Sequence, residues 1–295
     1  MKNQNNQSRR TFIRNTTIAA GTFMILPSHV FGRNGTVPPS DRINLAFIGT
    51  GKLIRELHER FAELPDVQIV AGCDVHTQKL EWFRKQTDKF YAGKNDTKNY
   101  SGCKTFGHYE ELLQDPSIDA VMVATPDHWH AIISIAAMKA GKDVYCEKPL
   151  AHTVKEGRAM VDAAREYQRV VQTGSMQRSW EDFRHACELV VNGYLGDIKK
   201  VLVNVGDPPI PCDLEGAETP EYLDWDRWVG PAQMRPYSPV LAPPITDDSW
   251  PMWRSYMEFG GGGVADWGAH MFDIAQWGLG MDDSGPVKLL QPNDP

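Results

Sequence analysis

The sequence lacks any C-x-x-C pair: its five cysteines, at positions 73, 103, 146, 187 and 212, are odd in number and widely spaced. This excludes a disulfide framework and a zinc site of the finger or ribbon kind. Cys73 and Cys146 fall inside apolar runs, where a thiol serves as a small hydrophobe. No apolar run approaches the roughly 20 residues that a membrane-spanning helix needs, so no stable membrane insertion is expected. Basic charge is not in excess either. With 31 Lys and Arg against 38 Asp and Glu the net charge is −7, and no basic stripe stands out, so nucleic acid is not an expected partner. No stretch repeats itself. What is present is ordinary for a soluble globular protein: 41% hydrophobic and 23% charged, in 295 residues with room for two domains.

Near the N-terminus, Ser8-Arg9-Arg10-Thr11-Phe12-Ile13-Arg14 resembles a twin-arginine export signal, with the apolar run Ile18 to Leu26 behind it. The plainer alternative is a basic tail. No clean small-x-small cleavage site follows, which puts the cut in the region of Ser28 to Gly35. Residues 1–35 are therefore expected to be signal peptide and linker, and the mature protein to work in the periplasm or beyond. Export of this kind moves folded proteins, which suits an enzyme that takes up its nucleotide in the cytoplasm.

Past the linker, strand and helix patterns alternate. Ile43 to Ile48 (INLAFI) reads as a buried strand closed by Gly49-Thr50-Gly51, and a helix from Lys52 to Leu64 carries Leu53, Leu57 and Phe61 along one face. Val67 to Cys73 (VQIVAGC) is a second strand, with Asp74 at its end. Strand, glycine turn, helix, strand and acid in that order is the dinucleotide-binding arrangement. The glycines let backbone approach a pyrophosphate at the positive end of a helix. The acid hydrogen-bonds the adenosine ribose and repels a 2′-phosphate, so Asp74 favours NAD over NADP. The third glycine of G-x-G-x-x-G is absent. Ile54 stands there, and its bulk is expected to push the helix away from the strand. A structural α/β domain without nucleotide is the alternative.

The stretch from Ala120 to Leu150 organises the rest. It reads as a buried strand (Ala120 to Ala124), a polar loop holding His128 and His130, a helix from about His130 to Ala140, and a second buried strand (Asp143 to Cys146) that empties into Glu147-Lys148-Pro149. Ligands of open parallel sheets collect at the carboxyl ends of strands, which sets Thr125-Pro126-Asp127-His128 beside Glu147-Lys148-Pro149. A lysine there can hydrogen-bond a substrate hydroxyl and stabilise the oxyanion that forms as the proton leaves, with Glu147 expected to hold it. Taken alone, a lysine in a loop is a surface residue, and His128 and His130 are equally ordinary loop polars. A helix from Val154 to Tyr167 and a strand from Arg169 to Thr173 complete a domain expected over residues 41–174.

Residues 175–295 are expected to form a second domain. Trp180 to Asn192 reads as a helix and Ile198 to Val205 (IKKVLVNV) as a long strand without a crossover helix. Residues 207–251 are irregular, rich in proline, tryptophan and acid, as functional or subunit-wrapping segments often are. A run of glycines, Gly260 to Gly263, then leads into a helix carrying Asp266 and His270 at i, i+4, on one face, with Asp273 a turn on. An imidazole oriented by a carboxylate is an acid/base pair for neutral pH. An isolated D-x-x-x-H is more often a plain ion pair on a helix. A metal held by His128, His130, Asp266 and His270 is a third reading; hydride chemistry needs none, and no metal is expected.

Together, Gly49-x-Gly51, Ala124-Thr125-Pro126, Glu147-Lys148-Pro149 and Asp266-x-x-x-His270 resemble the Gfo/Idh/MocA oxidoreductases, the family of glucose–fructose oxidoreductase and inositol dehydrogenase, over roughly residues 42 to 280. The resemblance implies an α/β fold: an N-terminal Rossmann domain with a doubly wound parallel sheet, and a C-terminal α/β domain with a large open, mostly antiparallel sheet that pairs subunits, hence a homo-oligomer. It implies NAD-dependent oxidation or reduction at a carbinol carbon of a sugar or related polyol. On that likeness Lys148 is the motif lysine, His270 the proton-transfer residue and Asp266 its support, while Gly49, Gly51, Asp74, Thr125, Pro126, His128 and Glu147 meet the cofactor. Two departures are visible: Ile54, and a chain that stops soon after the Asp266 helix, which makes the second domain look incomplete. Two rival functions follow. One is a glycoside-cleaving enzyme that passes through a transient keto-sugar, the other a non-catalytic carbohydrate-binding relic of the fold.

Overall fold

Six short segments become the strands of one sheet: β1 (Ile43–Ile48), β2 (Val67–Cys73), β3 (Lys104–Phe106), β4 (Ala120–Val123), β5 (Asp143–Cys146) and β6 (Val171–Thr173). All pairs are parallel, in the order β3-β2-β1-β4-β5-β6. This computed structural model describes residues 37–95, 97, 100–288 and 290. The twin-arginine motif and its apolar run lie outside the described residues. Residues 37–42, which hold a 3-10 turn at Pro39–Asp41, belong to a unit separate from the one that begins at Ile43.

The central strands β1, β2 and β4 are largely apolar on both faces because helices cover both, as parallel sheets require, while the edge strands β3 (KTF) and β6 (VQT) are partly exposed. On one face Ala46, Ile48, Val121, Val123, Val144 and Cys146 pack with α4 (Asp127–Lys139) and α5 (Val154–Glu166), which supply Ala131, Ile133, Ala137, Met138 and Met160, and with Leu112 of α3 (Tyr109–Leu113). On the other, Leu45, Phe47, Ile69 and Met122 pack with Ile54 and Leu57 of α1 (Lys52–Ala62) and Phe83 and Tyr91 of α2 (Thr77–Lys94). The alternation along β1 (Leu45 one way, Ala46 the other) is the two-residue period of a strand.

Several expectations change here. Ile54 is fully buried in the core between α1 and the sheet, so its bulk is absorbed by packing instead of splaying the turn. The 18-residue α2, absent from the sequence reading, shows only as the spacing Leu80, Phe83, Thr87, Tyr91 among many charges. The helix after β4 starts at Asp127, with Pro126 as its N-cap, so both histidines sit on a helix and not in a loop.

Beyond β6 come α6 (Glu181–Val191), α7 (Trp225–Val229), α8 (Gly262–Asp266) and α9 (Gly268–Gly278), with 3-10 turns at Met176–Ser179 and Met252–Ser255. The expected strand Ile198 to Val205 is irregular and mostly exposed, and after β6 the described residues contain only isolated bridges, such as Ile210 with Tyr256. An alternating apolar pattern becomes a strand only beside a partner that takes its hydrogen bonds, and no such partner lies there among the described residues. The open antiparallel sheet is therefore not part of this description. What orders residues 207–259 instead is a small aromatic core. Trp225 stacks on Trp228 at 4.7 Å, with Tyr237, Leu241, Trp253 and Phe259 around them.

Candidate active site

The strand order reverses between β1 and β4, and the carboxyl ends of these two strands make the crevice of a doubly wound sheet. Gly49 ends β1 with φ at +87°, and a Cβ there would lie 2.7 Å from the Ala124 carbonyl oxygen. Only glycine fits. Gly51 follows as the N-cap of α1, with open space where its Cβ would be and no side chain capping the helix. At the end of β2, Asp74 Oδ2 accepts from Thr50 N at 2.7 Å and Thr50 Oγ1 at 2.9 Å, and Oδ1 accepts from His76 N at 2.9 Å. The acid thus sets the shape of the glycine turn as well as facing the cleft.

One cavity of about 700 Å³ runs along this edge. Gly49, Gly51, Asp74, Thr125, Pro126, Glu147, Lys148, Asp266 and His270 all line it, so residues far apart in sequence meet in one place. His128 is the exception. It is buried beneath the aromatic core, its Nε2 3.2 Å from the Trp228 carbonyl and its Nδ1 3.4 Å from that of Phe259. Its neighbour Trp129 donates Nε1–H to the same Trp228 carbonyl at 3.0 Å. The two side chains tie α4 to the second half of the chain, and His128 does not reach the cavity. His130 points elsewhere too, between the carbonyls of Thr125 (2.9 Å) and Pro149 (2.8 Å), pinning together the loops after β4 and β5.

Lys148 crosses the cavity floor. Its Nζ donates to Asp266 Oδ1 at 2.6 Å and to the Asp266 carbonyl at 3.0 Å, so Asp266 and not Glu147 holds it. Arg254 Nε approaches the same carboxylate oxygen at 3.5 Å. The expected single helix through Asp266 and His270 is broken at Trp267 into α8 and α9. Asp266 directs its carboxylate to the lysine, while His270 faces the cavity from the first turn of α9. Burial, then the nearby Lys148 charge, holds the His270 imidazole below its ordinary pKa, opposed by Asp266 and Asp273. It is therefore neutral at neutral pH and ready to accept a proton.

Two carboxyls complete the floor. Glu147 is pushed up to about 7 by burial, against the opposing Lys148 amide and the Lys148 and Arg254 charges. Its Oε1 is buried without a partner. A Cβ on Gly174 would sit 2.8 Å from its carboxyl group, so that glycine makes its room. Asp127 is likewise pushed up to about 7, by burial first, with Asp266 adding and Arg254 and Lys148 opposing. The sequence placed Asp127 at the ligand edge without a role, and Arg254 and Gln177 were not singled out. Asp127 carried a signal, an acid at the first turn of a helix behind Thr-Pro, but Arg254 and Gln177 are placed only by tertiary contacts.

The geometry defines a class: a dinucleotide-binding Rossmann fold whose switch-point cleft holds a lysine, a neutral histidine and a carboxylate. The comparisons agree. Residues 43–175 match the NAD-binding Rossmann-fold model of the Gfo/Idh/MocA oxidoreductases, and residues 211–293 match the C-terminal alpha/beta domain of the same family. The chain belongs to the Gfo/Idh/MocA oxidoreductase family. Among curated relatives, a glycosyl hydrolase family 109 protein of Stenotrophomonas maltophilia is 28% identical over 75% of this chain and 49% of its own. One of Shewanella pealeana is 34% identical over 45% and 28%. A protein of gentamicin A biosynthesis, solved in complex with NAD, superposes with a TM-score of 0.54 at 20% identity, over 83% of this chain and 56% of that one, which shows the fold. The chain spans about half or less of the length of the curated relatives it matches.

The residues present fit a nicotinamide dinucleotide. Gly49, Gly51, Asp74 and Thr125 line the cavity, Gly51 has open space where a Cβ would stand, and the buried Thr125 hydroxyl has no hydrogen-bond partner.

Proposed function

We propose that this oxidoreductase transfers hydride between NAD and a carbinol carbon of a sugar or related polyol. The observation that carries the reading is the meeting of Lys148, Asp266 and His270 in a cavity that the glycine turn and Asp74 also line. Gly49 and Gly51 would hold the pyrophosphate and Asp74 the adenosine ribose, its charge favouring NAD over NADP. Bound nicotinamide supplies a hydride acceptor. The chain supplies the rest. The unprotonated nitrogen of His270 takes the substrate hydroxyl proton, and Lys148 Nζ, aimed by Asp266, donates to the oxygen as its charge grows. Glu147 and Asp127, protonated through the range below about pH 7, leave Lys148 and Arg254 less fully neutralised, which favours an oxyanion. The same reading takes residues 1–35 as an export signal, the protein to the periplasm or beyond, and the C-terminal domain to subunit pairing.

A second reading is favoured by the relatives named glycosyl hydrolase family 109: oxidation is transient, the acidified neighbouring C–H is lost, and a glycoside is cleaved. One experiment tests both. Nucleotide released on denaturing the purified protein is identified by mass, and products formed from a disaccharide are analysed. Bound NAD or NADH with an accumulating keto-sugar supports the dehydrogenase, and free monosaccharides support cleavage. A protein that neither retains nor binds NAD contradicts both.

A further inference from the structure

Indole rings make up much of the cavity wall. Six of the chain's nine tryptophans line it: Trp129, Trp180, Trp228, Trp250, Trp253 and Trp267. They divide by burial. Trp228 and Trp253 belong to the aromatic core, and Trp129 is bonded to it. Trp180, Trp250 and Trp267 are 46%, 43% and 55% exposed. Large rings left half in water around a cavity mark a surface that a ligand covers. Trp250 is already flanked by Lys52 at 5.2 Å and Arg254 at 5.4 Å. Trp180 stacks on Phe183 by one face at 5.6 Å and 27°. Trp267 meets His270 edge-on, 6.3 Å between centroids, which sets its ring beside the proton acceptor.

Gln177 is an independent second sign. It lines the same cavity at 8% exposure, and its Oε1 is buried with no hydrogen-bond partner. A buried acceptor left unpaired is unfavourable, and a ligand hydroxyl would satisfy it once the Gln177 amide turns toward the cavity. Gln177 sits in the Met176–Ser179 turn, three residues before Trp180, and that turn packs against α9, the helix that carries His270.

We infer that Gln177, Trp180 and Trp267 form a second saccharide subsite beside His270, and that the substrate is a glycoside of at least two pyranose rings. A pyranose has an apolar C–H face and a rim of hydroxyl donors. The first stacks on an indole and the second reaches an unpaired amide oxygen. On this inference a single hexose or cyclitol at His270 would fill only part of the site. The inference rests on the proposed reading that a sugar is oxidised at Lys148 and His270.

The test uses the NAD-loaded full chain and compares kcat/KM for NADH formation from hexoses and from their matching disaccharides. A disaccharide is expected to exceed its monosaccharide unit by about tenfold or more, the scale of covering an indole face. Trp180→Ala should bring that ratio close to one, and Gln177→Ala should lower it, with bound NAD still stoichiometric as the check on folding. Equal kcat/KM for the two sugar sizes, or a ratio indifferent to Trp180→Ala, overturns the second subsite while leaving the oxidoreductase reading intact. If no sugar of either size reduces the bound NAD, the oxidoreductase reading fails first and this inference falls with it.

Discussion

Lys148 Nζ lies 2.6 Å from Asp266 Oδ1, an ion pair between residues 118 positions apart that joins the end of β5 to the end of α8. Both side chains are about four-fifths buried, at 17% and 21% exposure, so the pair is held in place and is not a loose surface contact. The lysine is thereby aimed at the cavity from a fixed root. Lys148→Ala is expected to lower kcat by roughly a hundred- to a thousandfold, the scale of losing one donor to a developing oxyanion, while NAD binding persists. Steady-state kinetics beside a cofactor titration check this, and parallel loss of both would assign Lys148 a structural role. Asp266→Asn should lower kcat in the same direction by freeing the lysine.

His270 gives a pH dependence. Burial and Lys148 hold its pKa below the ordinary 6.5, and the neutral ring is the active form. The rate of sugar oxidation should therefore be flat through neutrality and fall on the acid side, with a midpoint below 6.5. His270→Gln should abolish that limb along with most of the activity. A pH–rate profile with its acid limb retained in the variant would assign the limb to another group.

Glu147 contributes to stability with the opposite pH sense. Its folded pKa of about 7 stands above the unfolded 4.5, so the folded state binds more protons between those values. Stability contributed by its neutral form is full below about pH 4.5 and is lost as pH rises toward 7. Glu147→Gln, which keeps the shape without the charge, should flatten that part of the dependence. Urea unfolding at a series of pH values measures it, and a slope unchanged in the variant would locate the effect elsewhere, Asp127 being the next group to test.

On the proposed reading, Asp74 governs cofactor choice. Asp74→Ser removes the charge that faces a 2′-phosphate and should raise the NADP-to-NAD affinity ratio by at least about tenfold, like-charge contact being worth several kcal/mol. Because Asp74 also accepts from Thr50 N and His76 N, NAD affinity itself should fall. A ratio unmoved by the substitution would assign selectivity to other residues around the ribose.

The Rossmann half was legible because its signals are local. β1, β2 and β5 match the apolar runs of the sequence at both ends, and a glycine turn and an acid at strand ends carry their own chemistry. The fold of residues 192–259 was not, because it rests on Trp225, Trp228, Trp253 and Phe259 meeting across loops that have no period. The same holds within the site. Lys148 and His270 could be picked out from motif and position, but their partners could not. Asp266 was paired with His270 on helical spacing, whereas its carboxylate bonds Lys148 across the cavity. His128 stood in the right motif, yet the helix begins at Asp127 and carries that side chain into the aromatic core, away from the cavity. His128→Ala should accordingly lower the melting temperature more than it weakens NAD binding.

The most direct test of hydride transfer at this cleft follows the hydrogen itself. The NAD-loaded protein is mixed with a glucoside deuterated at its ring carbons, and the nicotinamide recovered after one turnover is weighed by mass spectrometry. Deuterium in the reduced cofactor of the wild-type protein, and none with Lys148→Ala, is the predicted result. Sugar bound beside retained NAD with no label reaching the nicotinamide would contradict the account.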